Sequence, residues 1–545
     1  MISSNIKTEI ENLWVFALAS KCNVYFQENI AYLVIVTVLA WLTLTVFFWS
    51  HPGGPAWGKY FFGSRFSSRI LCGAGKTKKF IPGPRGFPLT GSMNLRSSHV
   101  AHHRIAAAAE KKNAKRLMAF SLGDTRVVVT CHPDVAKEIL NSPVFADRPV
   151  DETAYGLMFN RAMGFAPNGN YWRTLRRIGS NHLFNPKQIK RAEEQRRAIA
   201  SQMVNAYAQN AETALAVREV LKTASLSNMM GSVFGRQYGL EGKSVEVEEL
   251  KGLVEEGYDL LGMLNWTDHL PWLAGLDFQK IRLRCSQLVP RVNQFVTQII
   301  HERRAQASEA ACSFLDVLLS LQGPEKLCEP DMIAVLWEMI FRGTDTVAVL
   351  IEWVLARIVM HGEVQSTVHG ELDRVVGKTR AVDESDVPSL TYLTATIKEV
   401  LRLHPPGPLL SWARLSVTDT NVDGYHVPAG TTAMVNMWSI ARDPHVWEDP
   451  LEFKPERFIS KDGEAEFSVF GTDLRLAPFG SGKRVCPGKN LGFTTVSFWV
   501  ATLLHEFEWL PSDVANPMDL SEVLRLSCEM ARPLAAKVRP RRIIA

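Results

Sequence analysis

The run AYLVIVTVLAWLTLTVFFW, residues 31–49, contains no charged residue. Nineteen helical residues rising 1.5 Å each cover about 28 Å, close to the hydrocarbon thickness of a bilayer. The pattern predicts one transmembrane helix over 31–49. A cleaved signal peptide would have a shorter apolar core and a small-residue cleavage site. Here His51, two prolines and WGKYFFGSR follow. Before the run, Lys7 and Lys21 stand against Glu9, Glu11 and Glu28; after it, through residue 80, come Lys59, Arg65, Arg69, Lys76, Lys78 and Lys79 with no acid. Cations concentrate on the cytoplasmic flank of a span. Residues 1–30 are therefore expected in the lumen and everything after 50 in the cytosol. A buried core helix is the alternative reading of the run.

Residues 50–79 read as a basic linker. KKFIPGPRGFP, 78–88, has three prolines and two glycines and reads as a semi-rigid neck. Beyond it, helical periodicity covers roughly 187–209, 286–310, 331–360, 391–403 and 489–506, while strand-like patches are short. These are RVVVT at 126–130, and YHVPAG with TTAMV, which read as a hairpin about Pro428-Ala429-Gly430. The pattern predicts a mainly α body, 80–545, with smaller β-sheets. Segment 331–360 is apolar enough to suggest a second span. Its Glu338, Arg342, Asp345, Glu352 and Arg357 are too many charges for lipid, so it reads as a core helix whose ionisable residues line something.

With 545 residues, 46% of them hydrophobic, the chain can bury a large core. Length alone allows three or four domains, and no period of 20–50 residues suggests a repeat array. A net charge of +5 is too mild to argue for nucleic acid. The eight cysteines, at 22, 72, 131, 285, 312, 328, 486 and 528, include no C-x-x-C pair and suit a reducing compartment.

The stretch PFGSGKRVCPGKN, 478–490, concentrates the chemistry. As a phosphate loop it fails, because Ala477 stands where the first glycine is required and Arg484 replaces the hydroxyl. GAGKT at 73–77 fails likewise, with Ile70 at the first glycine position. A zinc site needs a second nearby ligand, and Cys486 has none in sequence. The remaining pattern is F-x-x-G-x-R-x-C-x-G: Phe479, Gly482, Arg484, Cys486 and Gly488. A thiolate bound to haem iron wants backbone N–H groups around its sulfur. Glycines permit that approach, and the apolar helix after Gly488 would favour the anion at its N-terminus.

On these residues the chain resembles the haem-thiolate monooxygenases, the cytochrome P-450 family, from the apolar N-terminal run to the C-terminus. FRGTDTVA and HPPGPLLSWAR are similar to the plant microsomal, KLUH-like branch linked to organ and seed growth. The resemblance implies the cytochrome P-450 fold with haem b, O2 as co-substrate, and NADPH acting through a cytochrome P-450 reductase. It implies Cys486 as the iron ligand, Phe479 over the ring face, and Trp172, Arg176, Arg484 and Arg414 toward the propionates, although Arg414 lies one residue further from the prolines than expected. Glu399, Arg402 and Arg457 would form a structural lock behind the cysteine loop. Glu-x-x-Arg alone recurs at 193/196, 194/197, 371/374, 522/525 and 529/532. Only the copy followed by His-Pro-Pro and Pro-Glu-Arg-Phe is informative.

On the distal side, Gly343 would leave room for dioxygen, Thr346 would hydrogen-bond it and Asp345 would relay protons. Arg342 departs from the family's small residue and, one turn from Glu338, faces the pocket either as a structural ion pair or as an anchor for an acidic substrate. Tyr155–Phe165, Arg342–Val347, Leu409–Trp412 (Leu409, Leu410 and Trp412 above all) and Leu524–Leu526 are expected to line a pocket for a small hydrophobic, fatty-acid or lipid-derived substrate. NWTDHLPWLAGLDF, 265–278, reads as a membrane-interface segment or as core. Lys483, Arg484, Lys489 and Arg177 are expected to form a basic face for the reductase. The whole implies a single-pass endoplasmic-reticulum enzyme, monomeric, with a cytosolic catalytic domain. A haem-thiolate isomerase or dehydratase and a non-enzymatic haem-binding regulator are the alternatives.

Overall fold

The computed structural model describes residues 29–71, 79–209, 215–240, 245–306, 313–410, 413–460, 467–513 and 518–542. The expected lumenal segment 1–30 thus lies almost wholly outside the described residues. The first helix, Asn29–Trp49, has 21 residues with a mean hydropathy of 2.4, and its apolar window is 0% buried. Its C-terminal end touches the body, the Trp49 indole donating to Gly86 O at 2.7 Å, but the apolar window is exposed, which removes the buried-core alternative.

Residues 50–71 are not a linker. A second helix, Pro55–Leu71, docks on the body through Trp57 and Phe61, both buried. The Trp57 indole N–H donates to Phe120 O at 3.1 Å. The Ser121 hydroxyl donates to Gly53 O at 2.6 Å and accepts from Ala56 N at 3.0 Å. The proline-rich stretch after it is no free neck either: Ala119 N–H donates to Pro82 O, and Phe87 and Gly91 exchange backbone bonds. The aromatic residues among the basic ones drive this docking, because their burial outweighs the flexibility that the composition suggests.

The main sheet has the order Met118–Leu122, Thr125–Thr130, Thr432–Val435, Arg414–Leu415; the middle pair is parallel and the outer pairs antiparallel. This overturns the hairpin expected about 428–430. Tyr425–Val427 pairs with Thr420–Val422 in a separate two-stranded sheet. Pro428 offers no N–H, Ala429 N–H goes to Asp419 Oδ1 at 2.8 Å, and Ser416 takes the two that follow, Gly430 N–H to its carbonyl at 2.8 Å and Thr431 N–H to its hydroxyl at 2.9 Å. The chain crosses between sheets instead of folding back. A three-stranded sheet joins Leu215–Ala216, Ala535–Pro540 and Phe507–Pro511, and a two-stranded hairpin pairs Glu522–Leu524 with Cys528–Met530.

The axis of the body is the helix Glu329–Met360, 32 residues and about 48 Å long. Its first half packs in one core cluster through Trp337 and Phe341, and its second half in another through Trp353 and Ile358. Helices Thr391–Leu403 and Lys489–Glu506 have the boundaries that periodicity predicts. The segment 187–209 divides into Pro186–Arg191 and Glu193–Ala208. The segment 286–310 begins earlier, and its helix spans Ile281–Ala305, passing through Pro290.

Trp57→Ala should destabilise the protein by about 3–5 kcal/mol, the usual cost of removing a buried tryptophan. A lower urea midpoint in detergent would show it; an unchanged midpoint would mean that the docked helix contributes nothing to the body.

Candidate active site

The cysteine loop is shaped by close backbone contacts. Gly482 has φ +69°, and a Cβ there would lie 2.1 Å from Leu140 O, so no larger residue fits without moving the chain. Val485 N–H bonds Gly482 O at 3.0 Å, and Cys486 N–H bonds Phe479 O at 2.9 Å. Gly488 then caps the helix Lys489–Glu506. Cys486 stands on the wall of a cavity of about 1750 Å³ of non-atom space, part of it open to solvent. Burial pushes its thiol up, while the Gly488 backbone N–H and the charges of Arg342, Arg176 and Lys489 oppose that shift.

Among the described residues five arginines line the same cavity, and three of them, Arg176, Arg414 and Arg484, meet at the cysteine loop. Arg176 donates to Val485 O at 3.0 Å and Arg414 to Ser481 O at 3.1 Å. Arg484 donates to Ala146 O and Ala166 O, each at 2.7 Å, and lies 4.2 Å over the Trp172 ring. The Trp172 indole itself donates to Met163 O at 2.9 Å. Burial, and then the neighbouring cations, push Arg414 down to about 9. Burial pushes Arg484 down to about 10, against the pull of Asp147, whose carboxylate is 3.7 Å away. Among the described lining residues the one carboxylate is Glu338. Buried cations in such excess call for an anion between them. A cleft with a thiol on its wall and guanidiniums at its edge fits an iron porphyrin carrying two carboxylates, and Cys486, Arg176, Arg414 and Arg484 could hold it.

Across the cavity runs the central helix. Arg342, Gly343, Thr346 and Val347 line the space, and the Thr346 hydroxyl donates to Arg342 O at 3.3 Å. At Gly343 a Cβ would lie 2.3 Å from Met229 Sδ. A larger residue there would have to displace the flexible Met229 side chain of the helix Val217–Phe234. Asp345 is buried and is not among the cavity-lining residues. Burial raises its carboxyl to about 6; Glu529 and Glu255 add to the shift and Lys222 and Arg218 oppose it. Arg342 Nε lies 3.1 Å from Glu338 Oε1, which also accepts from Gly164 N at 2.8 Å. The ion pair suggested by the spacing is formed, with the guanidinium 5.5 Å over Phe165.

Residues 81–529 match the family model for Cytochrome P450. The chain belongs to the cytochrome P450 family. It is 68% identical to cytochrome P450 78A6 of Arabidopsis thaliana over 536 residues, 98% of this chain and 99% of that one. It is 67% identical to cytochrome P450 78A9 of the same plant over 530 residues, 97% of each chain. With cytochrome P450 78A3 of Glycine max it shares 65% over 532 residues, 98% and 99% of the two chains. These similarities place it in the plant 78A branch and make it a haem-iron monooxygenase.

In this cytochrome P450, Glu399 and Arg402 are both fully buried and doubly bonded, at 2.7 Å in each contact. Arg402 also donates to Ala441 O, Pro450 O and Glu452 O. Arg457 joins through a 3.1 Å bond to Glu399.

Other expectations need correction. Leu410 lines the cavity, but Leu409 packs in a core cluster with Met118 and Val127. The left-handed backbone at Leu410, φ +52°, sends the two leucines to different places. Trp412 lies outside the described residues. Of the expected basic face, Lys483 is exposed, Lys489 lies against Phe470 and Arg177 pairs with Glu325 at 2.5 Å. Arg484, with a side chain 2% exposed, cannot belong to that surface. Arg148, also in the lining, had no sequence signal, because no motif surrounds it.

Glu399→Ala leaves the buried Arg402 without its carboxylate and should cost about 3–5 kcal/mol. A reduced denaturant midpoint with loss of haem incorporation is the expected result; retention of both would show that the lock is dispensable.

Proposed function

We propose that this cytochrome P450 inserts one oxygen atom from O2 into a hydrophobic, fatty-acid or lipid-derived substrate, with electrons passed from NADPH by a membrane-bound reductase. The carrying observation is the placement of the Cys486 thiol on one wall of the cavity, beneath three converging guanidiniums, with Thr346 exposed on the central helix. Cys486 is assigned as the haem ligand, and Arg176, Arg414 and Arg484 as the partners of the propionates beside Trp172. When bound, the haem supplies the activation of O2 and the transfer of one oxygen atom to a carbon. Thr346 would turn its hydroxyl from Arg342 O toward the cavity it lines to donate a proton there, and Asp345, next to it on the helix and under the charges of Lys222 and Glu255, would resupply that proton. A haem-thiolate isomerase would need neither group.

The mainly apolar cavity wall supports a hydrophobic substrate. The Arg342–Glu338 pair reads as structural, since each charge already answers the other. The anchor helix and the cation-rich residues after it support a single-pass protein of the endoplasmic reticulum with a cytosolic body. Trp272, Leu276 and Phe278 are exposed, and Trp272 shares a surface pocket with Trp41, Leu44 and Phe48 of the anchor helix, which supports contact of 265–278 with lipid. A role in plant growth control rests on branch resemblance alone.

Expression in yeast membranes with a plant reductase, NADPH and medium- to long-chain fatty acids should yield products one oxygen heavier, absent in Cys486→Ala. If the native protein, showing a thiolate-type carbon monoxide spectrum, consumes no NADPH with any of these lipids, the proposal for them fails. Turnover limited by proton delivery should fall as pH rises above about 6, where Asp345 loses its proton. Asp345→Asn should lower it about a hundredfold, within the range for lost general acid catalysis. An Asn variant with native rate and pH profile would exclude Asp345 from the relay.

A further inference from the structure

The hairpin formed by Glu522–Leu524 and Cys528–Met530 carries at its turn Leu526 and Ser527, two residues of the cavity wall. A Cβ at Gly262 would lie 2.9 Å from Leu526 N, so the turn also closes on the end of helix Val245–Gly262. Strands of three residues are too short to fix the hairpin by their own pairing. Its position depends on what holds its base.

On the Cys528–Met530 strand, Trp353 Nε1 donates to Cys528 O at 3.0 Å and Arg218 to Met530 O at 2.8 Å; the Glu522–Leu524 strand is tied through one carboxylate. Glu522 Oε1 meets His102 Nε2 at 2.7 Å and also bonds His103 Nε2. Its Oε2 faces His404 Nδ1 at 3.8 Å. Arg357 approaches His404 Nε2 from Nε at 3.0 Å and from Nη2 at 2.8 Å. An arginine only donates, so that ring nitrogen is bare and the proton of the neutral ring sits on Nδ1, toward Glu522. A carboxylate only accepts, so His102 and His103 present Nε2–H to it. Two N–H groups of helix Ala101–Lys111 thus bond a single side chain of the hairpin, and the His404 N–H at the end of helix Thr391–Leu403 faces it from beyond hydrogen-bond distance. Burial alone would raise the Glu522 carboxyl; the imidazole bonds, with His102 foremost, hold it well below the usual carboxylate range. Backbone bonds from Leu524 N to His99 O and from Cys528 N to Pro406 O run alongside.

His102 Nε2, a Glu522 oxygen and Cys528 Sγ lie within 4.8 Å of one another, and zinc takes all three ligand types. A metal on Nε2 would put the ring proton on Nδ1, and a ligating histidine gives that proton to an acceptor. The buried His102 Nδ1 has no hydrogen-bond partner among the described residues. The hydrogen-bonded arrangement accounts for the group without an ion.

We infer that Glu522 is a positioning residue: through His102, His103 and His404 it sets how far Leu526 and Ser527 reach into the cavity, and so the size of ligand that the cavity accepts. This rests on reading the cavity as the haem and substrate chamber. Two iron ligands of different size separate the role from general stability. Imidazole is small enough to avoid the hairpin, whereas clotrimazole, a bulky triaryl azole, fills the chamber. In spectral titrations of the full-length holoenzyme, Glu522→Gln should shift the ratio of clotrimazole to imidazole dissociation constants about tenfold, the scale of a hydrogen bond to a charged group. The thiolate-type carbon monoxide spectrum should be kept. His103→Gln, at a ring 39% exposed, should shift the ratio about two- to threefold in the same direction, as expected for a partly solvated bond.

Hydrogen exchange over 522–530 should quicken in both variants. An unchanged ratio in folded Glu522→Gln overturns the inference, as does one in His103→Gln if the first variant does not accumulate. Zinc that survives chelation and is lost in Cys528→Ser overturns it too, since the group would then be a metal centre. If the native protein gives no azole spectrum, the haem reading falls, and unchanged exchange over 522–530 in the variants would still refute the anchorage.

Discussion

The region behind the cysteine depends on the burial of Glu399 against Arg402. Both groups are fully removed from solvent, where either charge alone would be strongly destabilising. Neither is alone, because the guanidinium directs its remaining N–H groups to the carbonyls of Ala441, Pro450 and Glu452. Arg457 N–H and Lys454 N–H complete the carboxylate. The chain between 441 and 457 has little regular structure of its own. An arginine side chain does there what a sheet partner would do elsewhere, satisfying carbonyls and fixing the path of the chain. That path leads on to the cysteine loop.

The same economy of paired charge explains the central helix. Its apolar composition would suit a membrane, yet its interior charges find partners within the helix or across the fold. Glu338 meets Arg342, Glu352 bonds Arg218 at 2.8 Å, and Arg357 bonds His404. Asp345 is the exception, offset only by the more distant charges of Lys222 and Arg218, and its carboxyl is pushed up accordingly. The cavity beside this helix departs from the pattern in the other direction. Arg176, Arg414 and Arg484 are held in place by carbonyl oxygens, which orient them without neutralising them. Arg484 also has Asp147 at 3.7 Å, yet an edge of oriented cations in such excess is preorganised for carboxylates.

The hairpin at 522–530 and the docked helix at 55–71 show how distant segments are fastened by a few polar contacts laid over apolar burial. Glu522 reaches helix Ala101–Lys111 across 420 positions of sequence. Trp57 reaches Phe120 across 63. In each case a short element that could not persist alone takes its position from a partner that local pattern does not specify.

What the sequence determined by itself is local. Periodicity marks Thr391–Leu403 and Lys489–Glu506 because a helix repeats its buried face every turn, and the i, i+4 spacing suggests the Glu338–Arg342 pair for the same reason. The cysteine loop was legible because its glycines, arginine and cysteine lie within ten residues. The apolar N-terminal helix was legible because an uncharged run of that length marks itself without reference to the rest of the chain. Only the tertiary structure decided which sheet receives Thr432–Val435, where the helix Pro55–Leu71 docks, that Arg484 is buried, that Leu409 leaves the cavity, and that Arg148 and Glu522 matter. These depend on contacts between residues tens to hundreds of positions apart. A local pattern records which face of an element is apolar; the packing of the whole chain selects the surface that covers it.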